Sequence, residues 1–406
     1  MKQRVTTEQR ILFQLLKAAL KEQEVGVTKG MALSVQEWRM IFAIAKKHAV
    51  VSLLYEVLKL NESFPKELFD EVEKLSRQTV VQNYKLLYLS NYIVKRLEEE
   101  GVTVLLLKGA ATAAFYPNPE LRKSGDIDLL ITNREEEQRA CVVLVKEGYI
   151  LKEQQLANHH YVFETLEGIE IELHIMLAEP FDNKKINEYL ENLLIEFYNH
   201  YEEKNLLGSL LPVPEDGYHA YYLLLHMLQH YLRSGFGLKL LCDWVVFWNR
   251  EIKEKDQNTF LRLISESGLQ GFAERITATC VTYFGLEEAA IGFMMREPID
   301  KEVTQEFIRE IMEAEEFGKS ARERMVVLRG TKPVDYAREF HHQMQLNYLK
   351  SGKYYILWPV LWTCTLVRFL YNNKKVRKTS LWSVLKKAHL RSRSQEEMKL
   401  FQIKDD

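Results

Sequence analysis

Two aspartates one residue apart, Asp126 and Asp128, open a short apolar run containing Ile127, Leu129, Leu130 and Ile131, and a later run, 169–175, carries Glu170, Glu172 and His174 at alternate positions. Residues two apart on a β-strand share a face, so each run aims its polar side chains one way and its aliphatic ones the other. Carboxylates converging like this suit a hard divalent cation; magnesium in particular binds through one or two carboxylates plus the phosphates of a substrate. Two-metal phosphoryl or nucleotidyl transfer needs a further carboxylate, to hold the second cation or draw a proton from the attacking hydroxyl. Glu172 is the candidate for that role and Glu170 stands behind it. Upstream, Lys108 offers a point charge and Arg122 a planar fork for phosphate. Gly109 lets the backbone approach a phosphate closely.

The elements that must position these residues are legible in outline. Helical spacing runs from Glu8 to about residue 100, as in Ile11, Leu12, Leu15, Leu16, Ala19 and Leu20. Ser34 followed by Glu37 reads as a capping box, Asn61 and Pro65 bracket a turn, and a helix over 80–99 stops at Gly101. The continuous apolar run 102–107 reads as a buried strand. A short helix over 110–116, a loop at 117–120 and the Asp126–Asp128 strand follow. A helix over 134–147 ends at Gly148, strands lie near 149–153 and 161–165, and Glu167-Gly168 turns the chain into the third acidic strand. From about residue 184 the pattern is again helical. Pro212 and Pro214 mark a loop, after which Glu215 or Asp216 opens a helix carrying Tyr221, Tyr222, Leu224, Leu225 and Leu228. His226 and His230 share a face of that helix. They line a cleft, serve as structural hydrogen-bonding groups or, lacking a nearby cysteine or intervening glutamate, least of all bind metal. Asp243 either belongs to the same cleft, pairs with one of these histidines, or caps a helix.

Leu107-Lys108-Gly109-Ala110, Tyr116-Pro117, Arg122, Gly125-Asp126-Ile127-Asp128 and Glu172-Leu173-His174, followed by Leu225-His226, His230, Gly235, Gly237 and Asp243-Trp244, resemble the motifs of the uncharacterised bacterial nucleotidyltransferase-like family, within the DNA polymerase β-type nucleotidyltransferase superfamily. The resemblance covers about 102–248. It implies an α+β fold with a nucleotidyltransferase core and a mixed sheet at 101–182, and the helical spacing on either side adds an N-terminal helical domain at 1–100 and a C-terminal helical domain with a basic tail at 183–406. It implies transfer of a nucleoside monophosphate from a nucleoside triphosphate to an acceptor hydroxyl or phosphate, with Mg2+ or Mn2+ held by Asp126, Asp128 and Glu172. Lys108, Gly109, Ala110, Arg122 and Gly125 would bind the nucleotide, and Glu170, His174, His226, His230 and Asp243 would face the cleft or the acceptor. The expected acceptor is a peptide or small molecule of a biosynthetic route, and less so tRNA, the target of a toxin-like enzyme. Two positions depart from the superfamily pattern: Gly109-Ala110 replaces Gly-Ser or Gly-Gly, and Glu172 replaces Asp. They admit a second reading, a nucleotide-binding scaffold that has lost turnover.

Composition bounds these expectations. At about 100 to 200 residues per domain, 406 residues make two or three domains. Lys plus Arg number 55 against 57 for Asp plus Glu, a net charge of -2, so nothing global calls for nucleic acid. Cys141, Cys242, Cys280 and Cys364 are scattered, with neither a Cys-x-x-Cys pair nor a disulfide framework, and the charged N-terminal residues lack the apolar centre of a signal peptide; a cytoplasmic location is expected. The most apolar stretch, 354–370, precedes Lys374-Lys375-Val376-Arg377-Lys378. It contains Pro359 and Arg368 and falls short of the about 20 apolar residues of a spanning helix. A buried or partner-contacting helix is expected there, or a weak membrane-surface contact through 354–378. The basic residues of 374–393 read first as a solvated helix face.

Overall fold

The helices begin and end where the chain supplies partners for unpaired backbone groups. The computed structural model describes residues 5–21, 33–131, 133–152, 160–181, 183–233, 235–296, 298–314 and 354–372, with isolated positions at 337, 340, 341 and 344. The basic tail, and His159, lie outside the described residues. Helices α1 (Thr7–Ala19) and α2 (Val35–Lys47) each start at a capping box. In the second, the box expected from spacing, Ser34 N–H donates to Glu37 Oε2 at 2.7 Å while Glu37 N–H donates to Ser34 Oγ at 3.3 Å. After α3 (Tyr55–Lys59), α4 (Lys66–Glu99) runs 34 residues. The helix expected over 80–99 is thus only its second half, because no glycine or proline interrupts 66–99. It ends as expected at Gly101, whose φ of +69° lets Val102 N–H reach Leu97 O and Gly101 N–H reach Glu98 O.

The sheet contains β1 (Val104–Leu106), β2 (Asp126–Ile131), β3 (Ile150–Leu151), β4 (His160–Glu164) and β5 (Glu170–His174), in the order β1-β2-β5-β4-β3. It is mixed: β2 and β5 are parallel and the other pairs antiparallel. Short α5 (Ala110–Ala113) follows β1, and α6 (Glu137–Lys146) follows β2. On one face Ile127, Leu129, Ile131, Phe163, Ile171 and Leu173 are buried in a core with Leu86, Leu87 and Val94 of α4 and Val143 and Leu144 of α6. Full burial of one such side chain is worth about 1.5–3 kcal/mol, so this face holds the strands at a set height above the helices. On the other face Leu105, Leu107 and Leu130 enter the main helical core. Asp126, Asp128, Glu170, Glu172 and His174 belong to that second face by alternation.

The chain continues as α7 (Lys184–Asn199), α8 (Asp216–Arg233), α9 (Leu238–Trp248), α10 (Glu254–Glu266), α11 (Gln270–Phe284), α12 (Glu288–Ile291), α13 (Lys301–Ala314) and α14 (Trp358–Asn372). Helices before and after the sheet share one core: Phe13 of α1 meets Phe284 of α11 edge to face at 5.0 Å between centroids.

One element departs from expectation. The stretch read as a loop around Pro212 and Pro214 is the strand β7 (Ser209–Pro214), paired with β6 (Tyr201–Leu206). Both turn residues have positive φ, Leu207 at 50° and Gly208 at 90°, which is the two-residue hairpin geometry. The two prolines, two apart, turn their missing N–H groups to the same edge, so the ladder survives them. The apolar α14 is also more exposed than a buried helix would be: Ile356 just before it is 76% exposed and Val360 62%. Among the described residues no helix is long and apolar enough to cross a membrane.

Candidate active site

Parallel pairing of β2 with β5 decides which acids meet. The register sets Asp126 opposite Glu170 and Asp128 opposite Glu172. Asp126, Asp128 and Glu172 bring one carboxylate oxygen each to within 4.8 Å of one another. Glu170 does not join them. It is exposed at the strand start, where the Lys152 ammonium takes it at 2.7 Å.

Asp128 is the centre of the cluster and is 1% exposed. Its Oδ1 accepts from the Lys108 ammonium at 2.8 Å and contacts His174 Nε2 at 3.0 Å. Its Oδ2 is buried with no hydrogen-bond partner among the described residues. An orphaned, buried carboxylate oxygen costs free energy unless something positive meets it. The three carboxylates of Asp126, Asp128 and Glu172 are an all-oxygen donor set that fits a divalent cation such as Mg2+ or Mn2+. Glu172 Oε2 lies 3.3 Å from His174 Nε2. Burial raises the Glu172 pKa, but the His174 bond and the Lys108 charge outweigh it and lower the value to about 2, so the carboxylate stays ionised. His174 is pulled down by burial and raised further by Asp128 and Glu172, ending above the usual imidazole range. Lys108 is likewise opposed by burial and held above the ordinary lysine range by Asp128, with Asp126 and Glu172 adding to it.

The turn carrying Lys108 depends on Gly109, which takes φ +64° and ψ -115° as the N-cap of α5. A Cβ there would meet Asp126 O at 3.7 Å, an ordinary contact, so backbone conformation and not space demands glycine. Ala110 begins α5, half-buried beside it. Gly125 is exposed and has open space around it; nothing in its surroundings requires glycine.

Arg122 is placed differently from the expected phosphate fork. Its Nε and Nη2 donate to the two oxygens of Asp243, both at 2.7 Å, and its Nη1 donates to Ser124 Oγ at 2.9 Å. Tyr116 O–H donates to the same Asp243 at 2.6 Å. The guanidinium is 4% exposed, so a phosphate would have to displace a bidentate buried partner. Asp243 therefore pairs with neither His226 nor His230 and caps no helix; it ties α9 to the loop before β2.

Helix α8 lies beside the cluster, within reach of the Lys108 charge. Tyr222, His226 and His230 form an i, i+4, i+8 stripe, and the last two rings stack edge to face at 4.5 Å. Burial, then the Lys108 charge, drives His226 well below its ordinary value and His230 to about 4, so both are neutral near pH 7. Neither joins a metal-ligating group among the described residues. Tyr222 is buried, and burial holds its phenol protonated within reach of the fields of Lys108 and the three acids. Sequence reading passed over Tyr222 although the spacing of four was visible. It also left His160 unassigned. The β4–β5 register sets His160 directly opposite His174, with ring centroids 5.1 Å apart.

A mixed sheet whose parallel inner strands gather three carboxylates beside a Lys-Gly turn defines the class of the protein, a nucleotidyltransferase-like one. The chain belongs to the family of uncharacterised nucleotidyltransferases, whose model matches residues 34–285, more than half of its length. That stretch reaches beyond the motifs at both ends, into α2 and to the end of α11. Among solved structures it is similar to an antigenic nucleotidyltransferase-like protein from Paracoccidioides brasiliensis, with 14% identity, 51% of this chain and 96% of that chain covered, and a TM-score of 0.30. None of the curated proteins matches the chain.

Proposed function

We propose that the chain is a polymerase β-type nucleotidyltransferase that moves a nucleoside monophosphate from a nucleoside triphosphate to an acceptor hydroxyl or phosphate. The observation that carries this reading is the register of Asp128 against Glu172, which with Asp126 makes an oxygen-donor cluster, one of whose members, Asp128, keeps a buried carboxylate oxygen without a hydrogen-bond partner among the described residues. In the reaction an acceptor oxygen bonds to the α-phosphorus, the bond to the bridging oxygen breaks, and pyrophosphate leaves. A divalent cation on Asp126, Asp128 and Glu172 would neutralise the triphosphate and the departing pyrophosphate. Lys108, fixed on Asp128, is a cation beside the cluster for phosphate oxygens, and Gly109 opens the backbone to them. Glu172, with its pKa at about 2, is a weak base and contributes mainly as a fixed negative charge. Tyr222, His226 and His230 line the side from which an acceptor would approach. A peptide or small-molecule acceptor fits the balanced net charge better than tRNA.

A second reading rests on the Lys108–Asp128 pair. An ammonium already bound to Asp128 neutralises part of the cluster, and Ala110 offers no hydroxyl to phosphate; both suit a scaffold that binds nucleotide without turnover. One experiment separates the two. Each of the four ribonucleoside triphosphates is titrated into the protein with Mg2+ or Mn2+ by calorimetry while pyrophosphate is measured, beside a folded Asp126→Asn/Asp128→Asn variant. Metal-dependent binding and pyrophosphate release, both lost in the variant, are expected. Binding without release under all acceptors tried favours the scaffold, and the absence of any binding sinks both readings.

A further inference from the structure

The carboxylate cluster has a second corner whose donors are chemically different. His160 on β4, and Glu172 and His174 on β5, each bring one ligand atom to within 4.8 Å of one another, and Glu172 is shared with the all-oxygen group of Asp126 and Asp128. The grouping follows from antiparallel register. His160 stands opposite His174 and Val162 opposite Glu172, so the two imidazoles are direct cross-strand neighbours and Glu172 sits diagonally from His160, within reach of a long side chain. Asp128 adjoins this corner through Oδ1, which contacts His174 Nε2 at 3.0 Å, and its Oδ2 is buried with no hydrogen-bond partner among the described residues.

We propose that His160, Glu172 and His174 form a nitrogen-bearing metal position that takes a first-row transition dication in preference to Mg2+, beside the oxygen-only position of Asp126, Asp128 and Glu172. Imidazole nitrogen suits zinc, iron, nickel and copper far better than it suits magnesium, which takes oxygen and keeps its waters; manganese favours oxygen but accepts imidazole, which makes it a usable probe. Glu172, with two oxygens, serves both positions. The assignment concerns metal binding alone and stands whether or not the protein turns nucleotides over.

The test uses the full chain and Mn2+ as the probe, read by pulsed electron paramagnetic resonance. Imidazole nitrogen bound to Mn2+ modulates the spin echo, whereas carboxylate and water oxygens give no nitrogen signal. The expected result is two-nitrogen modulation in the wild-type protein, retained in Asp126→Asn, reduced to one nitrogen in His174→Gln and in His160→Phe, and lost in the double histidine variant. Calorimetry on the same variants should show Zn2+ affinity falling at least tenfold in His160→Phe while Mg2+-dependent triphosphate binding persists. His160→Gln is the alternative should the phenylalanine fail to fold. Mn2+ bound without nitrogen modulation overturns the inference and leaves the nucleotidyl-transfer reading intact. Modulation unchanged in both single histidine variants overturns it as well.

Discussion

Gly109 shows how much one backbone conformation can carry. Its φ of +64° with ψ of -115° lies where an L side chain strains the backbone, and the turn it makes sends Lys108 back onto Asp128 at 2.8 Å. Held strain of this kind costs about 1–3 kcal/mol when a Cβ is added. Gly109→Ala is therefore expected to lower unfolding free energy by that amount and to weaken triphosphate binding, because relief of the strain moves Lys108. Chemical denaturation and calorimetry on the one variant measure both. Unchanged stability would mean that the turn relaxes without cost, and the role given to Gly109 would fail. The same residue scale shows why Glu172 and not Glu170 completes the cluster: both alternate onto the site face, but only the former stands beside Asp128, and Lys152 holds the latter.

Helix α8 is the element on which acidity should act. His219 is fully buried between the rings of Phe115 and Phe247, with neither nitrogen bonded among the described residues, and burial drives its pKa down to about 3. His226 and His230 are depressed too, the latter to about 4. In the unfolded chain all three titrate near 6.5, so below that pH the unfolded state binds more protons and stability falls as pH drops. His174, raised above its ordinary value, acts the other way: it stabilises fully below 6.5, and that contribution is lost as pH rises through its folded value. Below pH 6.5 the His174 contribution is constant, so the three neutral-held histidines predict a net loss between pH 6.5 and 5, up to about 1.4 kcal/mol per pH unit for each. Urea unfolding at pH 7.5, 6.5 and 5.5 measures it. His219→Phe keeps an aromatic ring between Phe115 and Phe247 and should flatten the slope; a slope unchanged by that substitution would remove His219 from the account.

Across the whole molecule, the Arg122–Asp243 pair joins the sheet to the helical layer. The two residues are 121 apart in sequence, and both partners are nearly inaccessible. Removing one partner of such a pair leaves a buried uncompensated charge and costs about 3–5 kcal/mol. Arg122→Met and Asp243→Asn are each expected to destabilise by that order, and a double-mutant cycle should show strong coupling. The two singles should also lower triphosphate affinity equally at matched folded fraction, since Arg122 acts here as a tie. An Arg122 variant that keeps its stability and loses only triphosphate affinity would restore the phosphate-fork reading.

Local pattern was enough to identify the strands that matter. Alternation in 126–131 and 170–174 placed the acids on one face and Ile127, Leu129 and Leu173 on the other, because the pleat repeats every two residues wherever the strand lies. It also located the glycine stop at Gly101 and the Ser34 capping box, whose partners are within five residues. Pattern failed for the hairpin of β6 and β7: prolines on one strand and a leucine at positive φ in the turn both contradict the propensities that ordinarily mark a hairpin, and pairing with the rest of the fold overrides them. It failed again where a side chain chooses between partners. Whether Arg122 meets phosphate or Asp243, whether His160 comes beside His174, and which face of α8 closes over Lys108 depend on contacts between residues far apart in the chain. The sequence by itself determined the acidic strands, the glycine turn and the chemistry they can perform, because these rest on the local periods of the backbone. Tertiary structure alone decided which charges neutralise one another and which oxygen of Asp128 is buried without a hydrogen-bond partner among the described residues, because register and packing between distant segments have no local period to announce them.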